Sequence, residues 1–180
     1  EKTKLVTGIR GEKVNYEYET NIEPGTKGRI QVSPNRDDDF TEFSPKLAIN
    51  HKINDELAIF ANYSRGNRAP QTTDLYRIQS KQIPGGAKSE KLDSLEIGLR
   101  GNFSIFNLEL VGFNMRKENY FFRDSQGFNV ENGKTTHRGF EINFLAEFNQ
   151  FFQIENSTSF AEHEYDFDHS PNGIKSGNQI

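Results

Sequence analysis

Residues 57–76 read Leu-Ala-Ile-Phe-Ala-Asn-Tyr-Ser-Arg-Gly-Asn-Arg-Ala-Pro-Gln-Thr-Thr-Asp-Leu-Tyr. Leu57, Ile59, Ala61 and Tyr63 fall on one side of an extended strand; Ala58, Phe60, Asn62 and Ser64 fall on the other. A period of two marks a strand lying between two different environments. The apolar residues then stop. Arg65 and Arg68 bracket Gly66, and Pro70 has no N–H to continue a ladder. The strand leaves an apolar slab, enters a polar zone and ends. A lipid slab and the mouth of a barrel fit that pattern.

Working outward, the same alternation recurs. Leu5, Thr7 and Ile9 oppose Val6, Gly8 and Arg10, with an apparent phase slip near 11–13 that predicts a bulge. Residues 20–38 hold Pro24, Gly25, Gly28 and Pro34 and read as a long polar loop. The strand from Phe40 to Ile53 returns through a short turn at Asn54-Asp55. A second long loop covers about 70–89, and Glu90 to Arg100 is again a strand, turning at Gly101-Asn102.

From Ile105 to Arg123, Phe106, Leu108 and Leu110 compete in parity with Val111, Phe113 and Met115, so that register stays open. Asp124-Ser125-Gln126-Gly127 reads as a turn. In the stretch 128–148, Phe140, Ile142, Phe144, Ala146 and Phe148 make one apolar row. Asn149-Gln150 turns the chain into a last strand running to about Phe167. The reading is about seven strands, with short turns alternating with long loops and no helix longer than a turn. Membrane barrels have that asymmetry between their two ends.

Composition agrees. Hydrophobic residues make up only 33% and mean hydropathy is −0.81. Yet aromatics reach 12%, with 16 Phe. A barrel wall that is half wet is polar on average and still rich in aromatics. Cys is absent, which excludes disulfides, Cys-based zinc sites and thiol chemistry. A net charge of −4 argues against a nucleic-acid partner. No stretch approaches the roughly 18 apolar residues of a membrane helix. No signal peptide opens the chain, so an exported protein would carry one upstream of Glu1.

The ordered set Ser44-Pro45-Lys46-Leu47-Ala48, Tyr63-Ser64-Arg65-Gly66-Asn67-Arg68-Ala69-Pro70, Leu75-Tyr76-Arg77, Glu90, Leu95-Glu96-Ile97-Gly98-Leu99-Arg100-Gly101, Asn132-Gly133 and Arg138-Gly139-Phe140-Glu141 resembles the TonB-dependent receptors of Gram-negative outer membranes. The run 174–180 resembles the stretch before that family's last strands. Asn67 stands where the family commonly has an aromatic, for which a local packing change is expected.

The resemblance implies an all-β fold. It would be an antiparallel up-and-down meander forming part of a barrel of about 22 strands. Residues 1–180 would be barrel wall, with the plug domain and its TonB-contacting segment absent. Implied partners are outer-membrane lipid, the TonB complex through that plug segment, and a ferric siderophore or similar small ligand. No cofactor, no metal and no catalytic step are implied. A soluble all-β carbohydrate-binding module, a porin and a barrel enzyme are the alternatives.

Candidate ligand contacts are Arg65, Arg68, Tyr76 and Arg77, near a strand end and in the following loop. Arginine suits planar oxygen ligands and would form a basic rim for an anionic chelate. The competing reading makes Arg65 and Arg68 structural, bonded to lumen carboxylates. Glu96, Arg100, Glu141, Asn143 and Glu147 are expected to face the lumen as solvated cross-strand pairs. Residues 163–169 alternate His and aromatic with Glu and Asp; their carboxylate row, near Asp37 to Asp39, could bind a hard cation such as Ca²⁺, and the competing reading is a solvated loop end. His51 and His137 stand alone and read as ordinary residues. Tyr16, Tyr18, Tyr63 and Phe121 are expected in an interfacial girdle.

Overall fold

The computed structural model describes residues 2–76, 78–79, 82–123, 129–169 and 173–180. Its strands are β1 (Thr3–Tyr18), β2 (Gly25–Lys27), β3 (Ile30–Val32), β4 (Arg36–Lys52), β5 (Leu57–Arg68), β6 (Ile78–Gln79), β7 (Glu90–Asn102), β8 (Phe106–Arg123), β9 (Asn129–Asn149) and β10 (Phe152–Tyr165). One short helix, α1 (Thr72–Tyr76), lies between β5 and β6. The seven long strands form one antiparallel sheet in the order β1-β4-β5-β7-β8-β9-β10. Each long strand therefore pairs with the long strand next to it in sequence, as an up-and-down meander requires.

Two of the short turns begin at an asparagine. Asn54 Oδ1 accepts from the N–H groups of Glu56 (2.9 Å) and Leu57 (2.7 Å), and Asn149 Oδ1 accepts from that of Phe151 (2.9 Å). Asparagine side chains mimic a backbone turn in this way. At the opposite end the two long loops meet. They contribute β2 and β3 from one loop and β6 from the other to a three-stranded sheet in the order β2-β3-β6.

The ladders join side chains into rows. Leu5, Ile49, Ala61, Ile97, Gly112, Phe140 and Phe160 stand opposite one another in turn across all seven strands. These large side chains are open to the surroundings: Ile97 is 59% exposed and Phe140 47%. A β-sandwich would bury that row under a second layer, and among the described residues none covers it. Two rows nearer the mouth, the two sides of the sheet differ. Ile9 is still apolar on β1, while its row ends in Thr136 and Glu164 on β9 and β10. The apolar belt thus crosses the ladders obliquely, as tilted barrel strands make it do.

The other face carries Lys4, Asn50, Phe60, Gly98, Val111, Glu141 and Ser159 in one row. Glu96, Arg100, Asn143 and Glu147 share this polar face, as expected of lumen residues. Gly98 lets the Phe60 ring lie flat on the wall: a Cβ there would stand 2.5 Å from Phe60 Cζ and 2.6 Å from the Leu110 carbonyl oxygen.

Several expectations change. The β1–β4 register runs without a shift from Thr3↔His51 to Tyr18↔Arg36, so there is no bulge at residues 11–13. The apparent slip has another cause: Tyr16 and Tyr18 are aromatic on the polar face because the loops pack on them. The open register of β8 resolves with Phe106, Leu108 and Leu110 on the apolar face and Val111, Phe113 and Met115 on the polar one. Gly101 and Asn102 remain in β7, paired with Leu108 and Asn107, and the turn is 103–105. The last strand ends at Tyr165 rather than Phe167. The stretch 124–127 lies outside the described residues.

Candidate ligand recess at the mouth

The long loops bury what the belt exposes. Leu75 and Ile78 are fully buried, and Tyr76 and Ala87 nearly so. Leu75, Tyr76 and Ala87 form a core against Tyr16, Tyr18, Phe40 and Phe121. Tyr16, Tyr18 and Phe121 are therefore supports for α1, not members of an outward girdle. An aromatic beside a helix buries more apolar area there than at a water interface.

The helix starts after Pro70. The Gln71 N–H donates to Asp74 Oδ2 (3.0 Å), an N-terminal cap made by a side chain of the first turn. Tyr16 donates its hydroxyl to the Pro70 carbonyl (2.9 Å), fixing where the helix begins on the wall.

Polar groups lock this core. Arg36 holds Asp38 bidentately, Nε to Oδ2 at 2.7 Å and Nη2 to Oδ1 at 2.6 Å, and donates Nη1 to the Pro84 carbonyl at 2.6 Å. Tyr76 donates its hydroxyl to Asp38 Oδ2 (2.9 Å) and stacks on Tyr18, centroids 4.4 Å apart. Burial, with that hydrogen bond second, pushes the Tyr76 pKa up to about 12. The bond to Asp38 raises that of Arg36. Glu131 has its pKa raised by burial, against the donation from Gln82 Nε2 at 2.5 Å.

Between this core and the small sheet lies a recess of about 480 Å³, lined by Glu17, Tyr18, Ile22, Ile30, Thr73 and Tyr76 among others. Ile22 (60%) and Ile30 (51%) are exposed at its edge. Tyrosine faces, aliphatic groups and a few polar tips are the lining of a small-molecule site. A larger concavity, about 670 Å³, lies on the belt where Ala61 and Gly112 sit among Ile49, Ile97 and Phe140. It is a dent in an apolar surface and carries none of this chemistry.

Among the described residues, Tyr76 is the one predicted contact that lines the recess. Arg65 lies on the belt side and binds Asp93 through Nε (2.8 Å) and Nη2 (2.9 Å), beside the Tyr63 hydroxyl at 2.7 Å from the same carboxylate. Arg68 lies on the polar face, 2.9 Å from Glu90, a carboxylate shared with Lys117 at 3.5 Å. Arg77 lies outside the described residues. Asn67 sends Nδ2 to the Phe43 carbonyl (2.8 Å) and Ser44 Oγ (2.9 Å), a local substitute for aromatic packing.

The acidic stretches do not converge on one point. Asp38 holds Arg36 and Tyr76, Asp39 accepts from Asn15, Asp166 lies 3.2 Å from Arg116, and Asp168 accepts from the Ser176 N–H. Among the described residues no three His, Asp or Glu side chains gather as a metal site. Sequence reasoning missed Glu17, Ile22, Ile30 and Thr73. Glu17 lies at the end of β1, and the other three come from two loops whose pairing no local pattern encodes. It also missed that His137 and His163 meet, because a register shift between Phe152 and Gln153 sets their pairing.

An exposed apolar belt, a polar opposite face and folded loops at one end define the wall of an outer-membrane β-barrel. The chain belongs to the TonB dependent receptor-like β-barrel family, which matches residues 1–180, and its place is the Gram-negative outer membrane. No curated protein matches the sequence. Among solved structures, it is similar to the copper transporter OprC (17% identity, TM-score 0.72, 92% of this chain and 28% of that one). It is also similar to the ferric-catecholate import receptor Fiu of K12 E. coli (17%, 0.68, 97% and 28%). The FrpB iron transporter of Neisseria meningitidis is another match (14%, 0.70, 100% and 26%). The chain spans about a quarter of the length of these structures.

Proposed function

We propose that the chain forms part of the wall and mouth of a receptor that captures a small ligand outside the cell and imports it with TonB-derived energy. The ligand we favour is a ferric siderophore or a similar iron chelate. The recess at the mouth is the observation that carries this reading. Two long loops are folded onto the polar face and leave a recess edged by exposed Ile22 and Ile30 over the stacked Tyr18 and Tyr76, which a passive wall does not need. Similar folds known as a siderophore receptor and a ferric yersiniabactin uptake receptor support the choice of cargo, and a copper transporter of similar fold marks its competitor. The belt side of Ile97 and Phe140 faces lipid, and the TonB contact belongs to a plug elsewhere in the receptor. We assign the chain no catalytic step.

Tyr76, with Tyr18 behind it, is the ligand contact. Arg65 and Arg68 brace the strand ends through their carboxylates, Asp93 and Glu90. Arg77 stays in the proposal on its place beside Tyr76 in the sequence. Calorimetry of the full-length receptor in detergent with ferric catecholates, ferric hydroxamates, haem and copper chelates tests the reading. Tight binding of one ferric chelate, weakened at least tenfold by Tyr18→Ala, is the expected result. Equal affinity in the variant places the ligand elsewhere, and preference for copper replaces iron as the cargo.

A further inference from the structure

We propose that His137 and His163 form a transition-metal site on the polar face of the wall. The two residues are direct partners on β9 and β10, and their Nδ1 atoms lie 2.7 Å apart with ring centroids at 4.9 Å. At that separation one ring donates its proton to the other. The outer nitrogen of His137, Nε2, lies 2.9 Å from Thr135 Oγ1, and Thr135 is buried. When Nε2–H donates to that oxygen, Nδ1 of His137 is left as a free lone pair aimed at His163. A metal-bound imidazole is held in this way by an oxygen on its far nitrogen.

Two nitrogens bound to one ion at about 2.0–2.1 Å, at right or tetrahedral angles, stand roughly 2.8–3.4 Å apart. A few tenths of an ångström of opening therefore turns the hydrogen-bonded pair into a chelate. His163 moves its proton from Nδ1 to Nε2 as the ion enters, and no net proton is released. Met115 stands opposite His137 in the ladder with its side chain on the same face. Two imidazoles with a thioether one strand away suit copper first and zinc or nickel next, and not a hard cation. The site is remote from the recess residues in sequence, and metal binding there does not depend on which ligand the mouth takes.

The test is copper titration of the full-length, chelator-stripped receptor, followed by calorimetry and electron paramagnetic resonance. Wild type is expected to bind one equivalent more Cu²⁺ than His163→Gln, with hyperfine splitting from two imidazole nitrogens. Thr135→Val should weaken that equivalent by about 10- to 100-fold. The same stoichiometry and spectrum in wild type and His163→Gln would overturn the proposal. If His163→Gln fails to insert, the wild-type spectrum decides: absence of the two-nitrogen signal overturns it as well.

Discussion

Ile97, in the middle of the belt, leaves 59% of its surface exposed; Leu75, at the mouth, leaves none. Both are aliphatic residues of one chain, and the sheet that carries the first supports the second. The difference lies in what surrounds them. Around the belt, exposure of apolar groups is stable only against hydrocarbon, and the backbone groups of the inner strands are already paired within the sheet. Above it, water returns, and the loops bury Leu75, Ile78 and the Tyr76 ring on the polar face as a small soluble domain would. One rule, matching each surface to its solvent, puts apolar side chains outside in one region and inside in the other.

Breaking the mouth should have the largest effect. Leu75→Ala removes a fully buried side chain and should destabilise the loop core by about 2–5 kcal/mol. Because the loops open without unfolding the wall, the readout is local. Amide exchange of α1 and protease cleavage within the loops should rise sharply, while the heat resistance of the barrel stays unchanged. A matching loss of barrel stability would show that mouth and wall fold as one unit.

Breaking the belt comes next, and it acts on the whole wall. Ile97→Arg places a cation in the apolar row and should cost about 2–4 kcal/mol in denaturant unfolding from lipid vesicles. Ser94→Arg, on the polar face of the same strand, should change stability little. Equal penalties for the two would mean that the faces are wrongly assigned.

How far the sequence carries this comparison depends on the region. The belt is legible because its order is local: Ile59, Ala61 and Tyr63, or Phe140, Ile142 and Phe144, show their common face by parity alone. Strand order follows from the short turns. The mouth is not legible, because its order is long-range. Tyr16 and Pro70 are 54 residues apart, yet they share a hydrogen bond, and Arg36 reaches Pro84 across 48. The same blindness put Tyr16 and Tyr18 in a girdle, since an aromatic near a strand end looks alike whether it meets lipid or a folded loop. It also left Arg65 and Arg68 undivided, although odd and even positions send them to opposite faces.

A subtler cut tests the polar lock on the mouth. Tyr76→Phe keeps the ring stacked on Tyr18 and removes only its bond to Asp38, a loss of about 0.5–1.5 kcal/mol. The sign of its pH dependence is fixed. The Tyr76 pKa is raised from near 10 to about 12 in the folded mouth. The phenol therefore contributes stability below its ordinary pKa, and that contribution disappears as pH rises through about 12. Wild-type loops should open to protease at alkaline pH sooner than those of Tyr76→Phe, relative to each protein at neutral pH. Ultraviolet difference spectra should show one phenol fewer titrating late in the variant.

The smallest effect belongs where belt and mouth meet. The Arg65–Asp93 pair stands on the belt side just above Leu95, with both partners about a third exposed. If water surrounds it, screening makes it weak, and Asp93→Asn should change wall stability by about 0–1 kcal/mol and less in high salt. If hydrocarbon reaches it, the unpaired Arg65 becomes an isolated charge in lipid, and the loss should approach that of Ile97→Arg, with no salt dependence. Unfolding of Asp93→Asn in vesicles at two salt concentrations therefore measures how high the lipid boundary climbs on β5 and β7. The oblique belt predicts that the boundary stops below Arg65 here and stands higher on β1 and β4, where Ile9 and Phe43 are still exposed. An Ile9→Arg substitution, one residue from the level of Arg10 along β1, should then cost more than Asp93→Asn, although Ile9 and Asp93 are equally far from the apolar row through Ile97.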